Sequence, residues 1–319
     1  MSKARELASL GNAYSDGALS NRNLIINGAM QVWQRGTSFN GAGYTADRWF
    51  QASNNTNAIT QSSVTLPNGD AANTLKVTAT GSASEWFDIY QVVEDYKRLL
   101  GKTVTMSGWV RTNINGVVFR KYSDQNLSSV VPNDGAWHYI EATFTPDVSG
   151  GAVRGPTGST FGVTFNAPLS VVSGDYYEFA QVQLEVGDTA TPFEHRSYGQ
   201  ELALAQRFFE RFYYPSGQNR PVALGHWYAT NGVHAPFYYS EKRAAPTASV
   251  SNANHFGLYI GTSLDANYAT TLNLVQLTSR CLNFNPSAIA TGAVGTVNAA
   301  ALISKMALYD AWIDIDAEL

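Results

Sequence analysis

The sequence predicts a mainly β protein in two parts: a two-sheet sandwich, a connecting α-helix, and a second, smaller all-β domain at the C-terminal end. Three observations predict it. Charged residues are only 14% of the 319, while Tyr (17), Phe (15) and Trp (7) are plentiful, a balance that favours strands and tight turns over exposed helices. From Asn23 to about Phe193, apolar runs alternate with turn dipeptides. Between Ser197 and Tyr213 the apolar spacing changes to steps of three and four residues, the period of a helix.

The first 21 residues read as a separate attachment segment, because Ala4, Leu7 and Leu10 make one short apolar stripe that cannot hold as an isolated helix. Residues 22–196 form the sandwich, with strands expected at Leu24–Val32, Trp49–Gln51, Ile59–Leu66, Thr74–Thr80, Trp86–Val93, Val104–Arg111, Val117–Tyr122, Trp137–Phe144, Phe161–Phe165 and Tyr176–Val186. Asn68-Gly69, Asn115-Gly116, Asn133-Asp134-Gly135 and Gly174-Asp175 supply turns, and a short helix is expected at Glu94–Leu100. Half-buried antiparallel strands at this spacing describe a sandwich or jelly roll. The connecting helix spans 197–213, with Ser197 as N-cap and Gln200 at the capping-box position. Its two apolar faces call for two packing partners.

Residues 214–319 return to strands. Leu224–Thr230, Asn231-Gly232 and Val233–Tyr239 read as a hairpin with a two-residue turn. Strands are also expected at Gly257–Gly261, Thr270–Leu277, Arg280–Phe284 and Lys305–Asp316, with 286–301 as loop.

Composition argues against several functions. A net charge of −4 without a basic cluster argues against nucleic-acid binding, and no apolar run is long enough to span a membrane. The N-terminus lacks the apolar core of a signal peptide, so synthesis in a cytoplasm is expected. Cys281 is the single cysteine, expected as a buried inert thiol. Nucleophile-elbow, zincin, phosphate-loop and paired-cysteine motifs are all missing, so neither enzyme activity nor a cofactor is expected. A two-residue turn would pair His226 with position 237 and His234 with position 229, on opposite faces, so no shared metal is expected there.

The densest carboxylate group is Asp310, Asp314 and Asp316. Period-two alternation sends Ala307, Tyr309, Ala311, Ile313 and Ile315 to the core, and Asp310, Trp312, Asp314 and Asp316 to the other face with Met306 and Leu308. A tryptophan between two acceptors suits a stacked sugar ring with its hydroxyls held. The candidate glycan-binding residues are therefore Trp312, Asp310, Asp314, Trp227 and Tyr228, with Tyr238 and Tyr239 as extensions. A solvated strand end is the alternative reading of the carboxylates.

Two stretches carry a resemblance. Asn23-Leu24-Ile25-Ile26-Asn27-Gly28-Ala29-Met30-Gln31-Val32-Trp33-Gln34-Arg35-Gly36 with Tyr44-Thr45-Ala46-Asp47-Arg48-Trp49 resembles the opening of jelly-roll domains in bacteriophage tail-fibre and virion adsorption proteins. Tyr177-Glu178-Phe179-Ala180-Gln181-Val182-Gln183-Leu184-Glu185-Val186-Gly187, then Ala190-Thr191-Pro192-Phe193-Glu194 and the helix from Arg196 to Phe209, is similar to their closing part. The resemblance brackets residues 23–213 and leaves 214–319 uncovered. It implies a carbohydrate-binding-module-like jelly roll, a homotrimer in a virion, and attachment to other virion proteins through the N-terminal segment. It also implies that the C-terminal β domain is a receptor-binding tip facing a host-surface polysaccharide. A baseplate or head-decoration protein and a polysaccharide depolymerase are the alternatives. Modules of this shape can hold a structural calcium, but Gln31 and Ala180-Gln181 stand where its ligands would be and are poor partners for a hard cation; Asp47, Asp175 or Glu178 are left as candidates for another such site.

Overall fold

Alternation of apolar and polar residues builds the first unit as strands with an apolar face turned to the core. The computed structural model describes residues 22–53, 57–81, 87–121, 125–126, 130–146, 162–166, 171–229, 232–259, 269–289 and 300–318; the predicted attachment segment lies outside them. The chain divides into two units, one ending at Leu202 and one covering Ala203–Glu318. In the first, one six-stranded antiparallel sheet has the order β1-β4-β5-β12-β7-β10, formed by β1 (Ser38–Asn40), β4 (Asn57–Thr65), β5 (Ala71–Ala79), β12 (Tyr176–Val186), β7 (Val104–Thr112) and β10 (His138–Phe144). The other has the order β2-β3-β6-β11-β8-β9, formed by β2 (Gly43–Tyr44), β3 (Phe50–Ser53), β6 (Phe87–Val92), β11 (Gly162–Asn166), β8 (Val118–Lys121) and β9 (Gln125–Asn126). Ile59, Leu75, Met106, Val110, Tyr177 and Phe179 of the first sheet share one core with Ile89 and Phe119 of the second. This is the jelly-roll sandwich that the strand pattern predicts.

The opening motif is not a strand. Residues 24–32 form a buried turn, with Ile25, Met30 and Val32 all at 0% exposure. Its apolar run lacks alternation, and two backbone hydrogen bonds tie the turn to β12: Leu24 N–H donates to the Leu184 carbonyl at 2.8 Å and Val182 N–H to the Gly28 carbonyl at 2.9 Å. Trp49 enters the core. Asp47 is engaged by Gln34 and lies 3.7 Å from Arg35, while Arg48 donates to the Val92 carbonyl. Gln181 sits at φ 50, where β12 shifts register between Ala180 and Gln183. In place of the expected helix at 94–100 there is one 3₁₀ turn, Tyr96–Leu99.

The connecting helix is shorter than predicted. Helix α1 covers Tyr198–Gln206, and the chain then becomes β13 (Phe209–Tyr214). The cap is as read: Ser197 Oγ accepts from Gln200 N–H at 3.3 Å, and Gln200 Oε1 accepts from Ser197 N–H at 3.0 Å. The aromatic residues after Gln206 have high strand propensity, and pairing with a distant strand overrides their helical spacing.

The second unit contains a three-stranded sheet, β13-β21-β16, with β16 (Thr247–Val250) and β21 (Ala311–Asp316). A six-stranded sheet has the order β17-β20-β14-β15-β19-β18, with β14 (Arg220–Ala229), β15 (Gly232–Tyr238), β17 (Phe256–Tyr259), β18 (Ala269–Val275), β19 (Cys281–Ile289) and β20 (Ala300–Lys305). The predicted strand 305–316 is thus two strands separated by a turn, and β19 runs past Phe284 into the predicted loop. Cys281 is part-exposed rather than buried.

Tyr239 closes the core of this unit. Its hydroxyl donates to the Thr278 carbonyl at 2.7 Å, and burial pushes its pKa from 10.0 up to about 12. The folded state therefore keeps a proton that the unfolded chain releases, so this contribution to stability is complete below pH 10 and is lost as pH climbs toward about 12. Alkaline unfolding followed by tyrosinate absorbance should show this loss, and Tyr239→Phe should reduce it.

Candidate functional site

The outward face of the three-stranded sheet gathers the predicted C-terminal residues. Alternation along β21 buries Ala311, Ile313 and Ile315 at 0% exposure and turns Trp312, Asp314 and Asp316 outward. Cross-strand register sets Tyr213 beside Trp312, and Arg211 and Ser249 on either side of Asp314. Tyr213 is 56% exposed. Arg211 grips both Asp314 oxygens at 2.7 and 2.6 Å and holds its guanidinium 5.3 Å from the Trp312 ring centroid. On the far side, Ser251 Oγ accepts from Trp312 N–H at 3.2 Å and lies 2.9 Å from His255 Nδ1, and the His255 ring stacks on Tyr309 at 4.5 Å.

Asp310 stands at the end of the turn before β21, where its carboxylate accepts from Ser216 N–H at 2.7 Å. The Tyr213 hydroxyl is raised above its usual pKa by local desolvation first and by the Asp310 carboxylate second. Asp310, Trp312 and Asp314 therefore share one neighbourhood, as predicted, but with different tasks. Asp314 is committed to Arg211 and positions it over Trp312. What faces solvent is a pair of adjacent aromatic rings rimmed by a guanidinium, a carboxylate and serine hydroxyls. Such a face can stack a ring and exchange hydrogen bonds with its substituents. Met306 and Leu308 do not join it, because the turn at 306–310 ends the alternation.

Trp227 is not part of a platform. It is 2% exposed and belongs to the core with Val233 and Phe237, and Tyr239 is buried with them. Tyr228 and Tyr238 are 45% and 72% exposed on the outer face of the β14–β15 pair, in a different sheet from Trp312. The hairpin register also differs from the prediction. Ala229 pairs with Gly232, which places Gly232 in the strand, and a further shift between Trp227 and Ala229 brings His226 opposite His234. The two histidines share one face.

Sequence reasoning missed Tyr213 and Arg211, which fell inside the predicted helix. The three carboxylates left as calcium candidates are committed separately. Asp47 accepts from Gln34, Asp175 accepts from Val172 N–H, and Glu178 accepts from Ser62, Thr74 and Arg111. Among the described residues, no group of three or more His, Cys, Asp or Glu gathers as a metal site. A cleft of about 600 Å³ in the second unit, lined by Gln206, Arg207, Ser240, Glu241, Lys242 and Arg243, contains none of the predicted residues.

No family model and no curated protein matches the chain. Among solved structures it has distant similarity to carbohydrate-binding modules. One is the xylan-binding domain CBM22-1 of Xyn10C from Paenibacillus barcinonensis, at 11% identity over 48% of this chain and 94% of that domain, with a TM-score of 0.31. Another is the family 11 module from Clostridium thermocellum in complex with a β-1,3-1,4-mixed-linked tetrasaccharide, at 12% identity over 49% and 98%, TM-score 0.29. An arabinose-bound α-L-arabinofuranosidase is similar at 14% identity over 50% of this chain, which spans only 26% of that enzyme, TM-score 0.33.

Proposed function

We propose that this chain is a phage virion protein, a tail-fibre or adsorption subunit that assembles as a homotrimer and binds a host-surface glycan. The observation that carries the binding reading is the outward Tyr213–Trp312 pair, exposed at Tyr213 and part-exposed at Trp312, held side by side on a sheet and rimmed by Arg211, Asp310 and Ser249. Strands fix these side chains before any ligand arrives, which lowers the ordering cost of binding. The particle role rests on the residue-level resemblance at 23–49 and 177–209. Three weak sites on one body would gain avidity from effective concentration.

The test is a glycan array and a host-cell binding assay with the intact chain, its mass first fixed by light scattering. Trp312→Ala should weaken binding about tenfold per site, equivalent to about 1.4 kcal/mol. Unchanged binding would remove the site from this face. Three times the monomer mass supports the trimer, and a stable monomer overturns it. Binding to no glycan or cell would favour a baseplate or head-decoration role. Release of reducing sugar from host envelope would instead favour a depolymerase.

A further inference from the structure

The chain has five histidines, and the structure treats two of them differently. His138 lies 2.9 Å from Asp134, His195 lies 3.8 Å from Asp70, and His255 lies 2.9 Å from Ser251. His226 and His234 instead face each other across β14 and β15, with ring centroids 6.3 Å apart and planes at 85°. Among the described residues, no hydrogen bond reaches the ring nitrogens of either. Both rings lie on the outward side of the sheet, alternating with buried Trp227, Val233 and Ala235.

The local backbone is built for this close pairing. A Cβ at Gly225 would stand 2.0 Å from the His234 carbonyl oxygen, so only glycine allows the strands to approach here. Tyr228 packs on the His234 ring, with ring centroids 4.2 Å apart. Across the sheet His226 stands opposite Ala300, the β15–β19 register sets Asn285 beside His234, and Leu224 and Pro236 are next along the same outward face, none of them charged.

We infer that His226 and His234 form a two-histidine site for a divalent transition-metal ion of the kind that prefers imidazole, such as Ni²⁺, Zn²⁺ or Cu²⁺. Metal–nitrogen bonds of about 2.0–2.1 Å hold two imidazoles on one ion with ring centroids roughly 5–6 Å apart. The observed 6.3 Å needs only a small side-chain rotation to close. Neutral imidazole supplies the lone pairs, and hard cations such as Ca²⁺ and Mg²⁺ are disfavoured without oxygen donors. The remaining coordination positions face solvent and take water. This site lies in a different sheet from Trp312 and is independent of the glycan reading.

The test is calorimetric titration of the untagged intact chain with NiCl₂. Saturable binding is expected, with His226→Gln and His234→Gln each weakening it by about tenfold or more, as loss of one of two ligands requires. His138→Gln should leave it unchanged. Circular dichroism and thermal unfolding confirm that each variant is folded, which these exposed positions favour. Absence of Ni²⁺ binding by the intact chain overturns the inference. So does binding that survives both substitutions together.

Discussion

Asn27→Ala should lower the stability of the first unit by about 3–5 kcal/mol, one of the two largest effects expected in this protein. Asn27 is fully buried and serves as the internal staple of the opening turn. Its Oδ1 accepts from the N–H groups of Gln31 and Val32, both at 2.9 Å. Its Nδ2 donates to the carbonyls of Val32 and Asp47 at 2.8 and 3.1 Å. Alanine leaves the buried Val32 N–H without its acceptor and the Asp47 carbonyl without this donor, while the Val32 carbonyl keeps the Asp47 N–H at 3.1 Å; each buried group left unsatisfied costs about 1–3 kcal/mol.

The backbone of Asn27 is engaged as well. Its N–H donates to Glu201 at 2.7 Å, and its carbonyl accepts from the Trp49 indole at 3.1 Å. Its φ of 58° is a conformation that asparagine tolerates better than alanine. Asn27→Gly separates the two causes, because glycine adopts this φ freely but restores no hydrogen bond; it should stay within about 1 kcal/mol of the alanine variant. The measurement is urea unfolding followed by Trp fluorescence and far-UV circular dichroism. A loss below 1 kcal/mol would show that water or rearrangement satisfies the turn. Gly28 beside it is equally constrained, since a Cβ there would stand 2.1 Å from the Val182 carbonyl oxygen.

The sandwich was legible because apolar residues alternate with polar ones along its strands. Val104, Met106 and Val110 face the core and Thr105, Ser107, Trp109 and Arg111 the other side, even though Thr105 and Ser107 are buried as well. Where apolar residues run together, that signal vanishes. Leu24–Val32 therefore resembles a strand in sequence, and the hydrogen bonds of one asparagine make it a turn. The helix boundary was illegible for a related reason. Phe209, Phe212 and the residues between them suit either period, and the choice is made by β21, which lies a hundred positions further along the chain. For the candidate site, alternation placed Trp312 and Asp314 correctly. It could not supply Arg211 or Tyr213, whose side chains meet the site only through that long-range register. The histidine pair depends on a one-residue shift within a hairpin, and a single-residue slip exchanges faces.

Glu210→Ala should destabilise the second unit by about 3–5 kcal/mol, because it strands a buried cation. The Lys242 side chain is 0% exposed, and its ammonium lies 2.7 Å from Glu210 Oε2 and 2.7 Å from the Gln206 carbonyl oxygen. Burial lowers the Lys242 pKa from 10.5, and the Glu210 carboxylate works against that shift. Removing the carboxylate deepens the depression, so the folded variant holds its lysine proton more weakly than the unfolded chain does. The unfolded state then binds more protons in the window between the lowered pKa and 10.5, and stability contributed by this group rises with pH across it. The difference between wild type and Glu210→Ala should therefore be largest near neutral pH, where the carboxylate and the ammonium are both charged, and should narrow on the alkaline side. Replacing both partners, Glu210→Leu with Lys242→Met, removes the charge together with its counter-ion and should recover most of the loss. A double variant as unstable as Glu210→Ala would show that the carboxylate acts mainly through Ser240, whose N–H it accepts at 2.9 Å, rather than through the lysine.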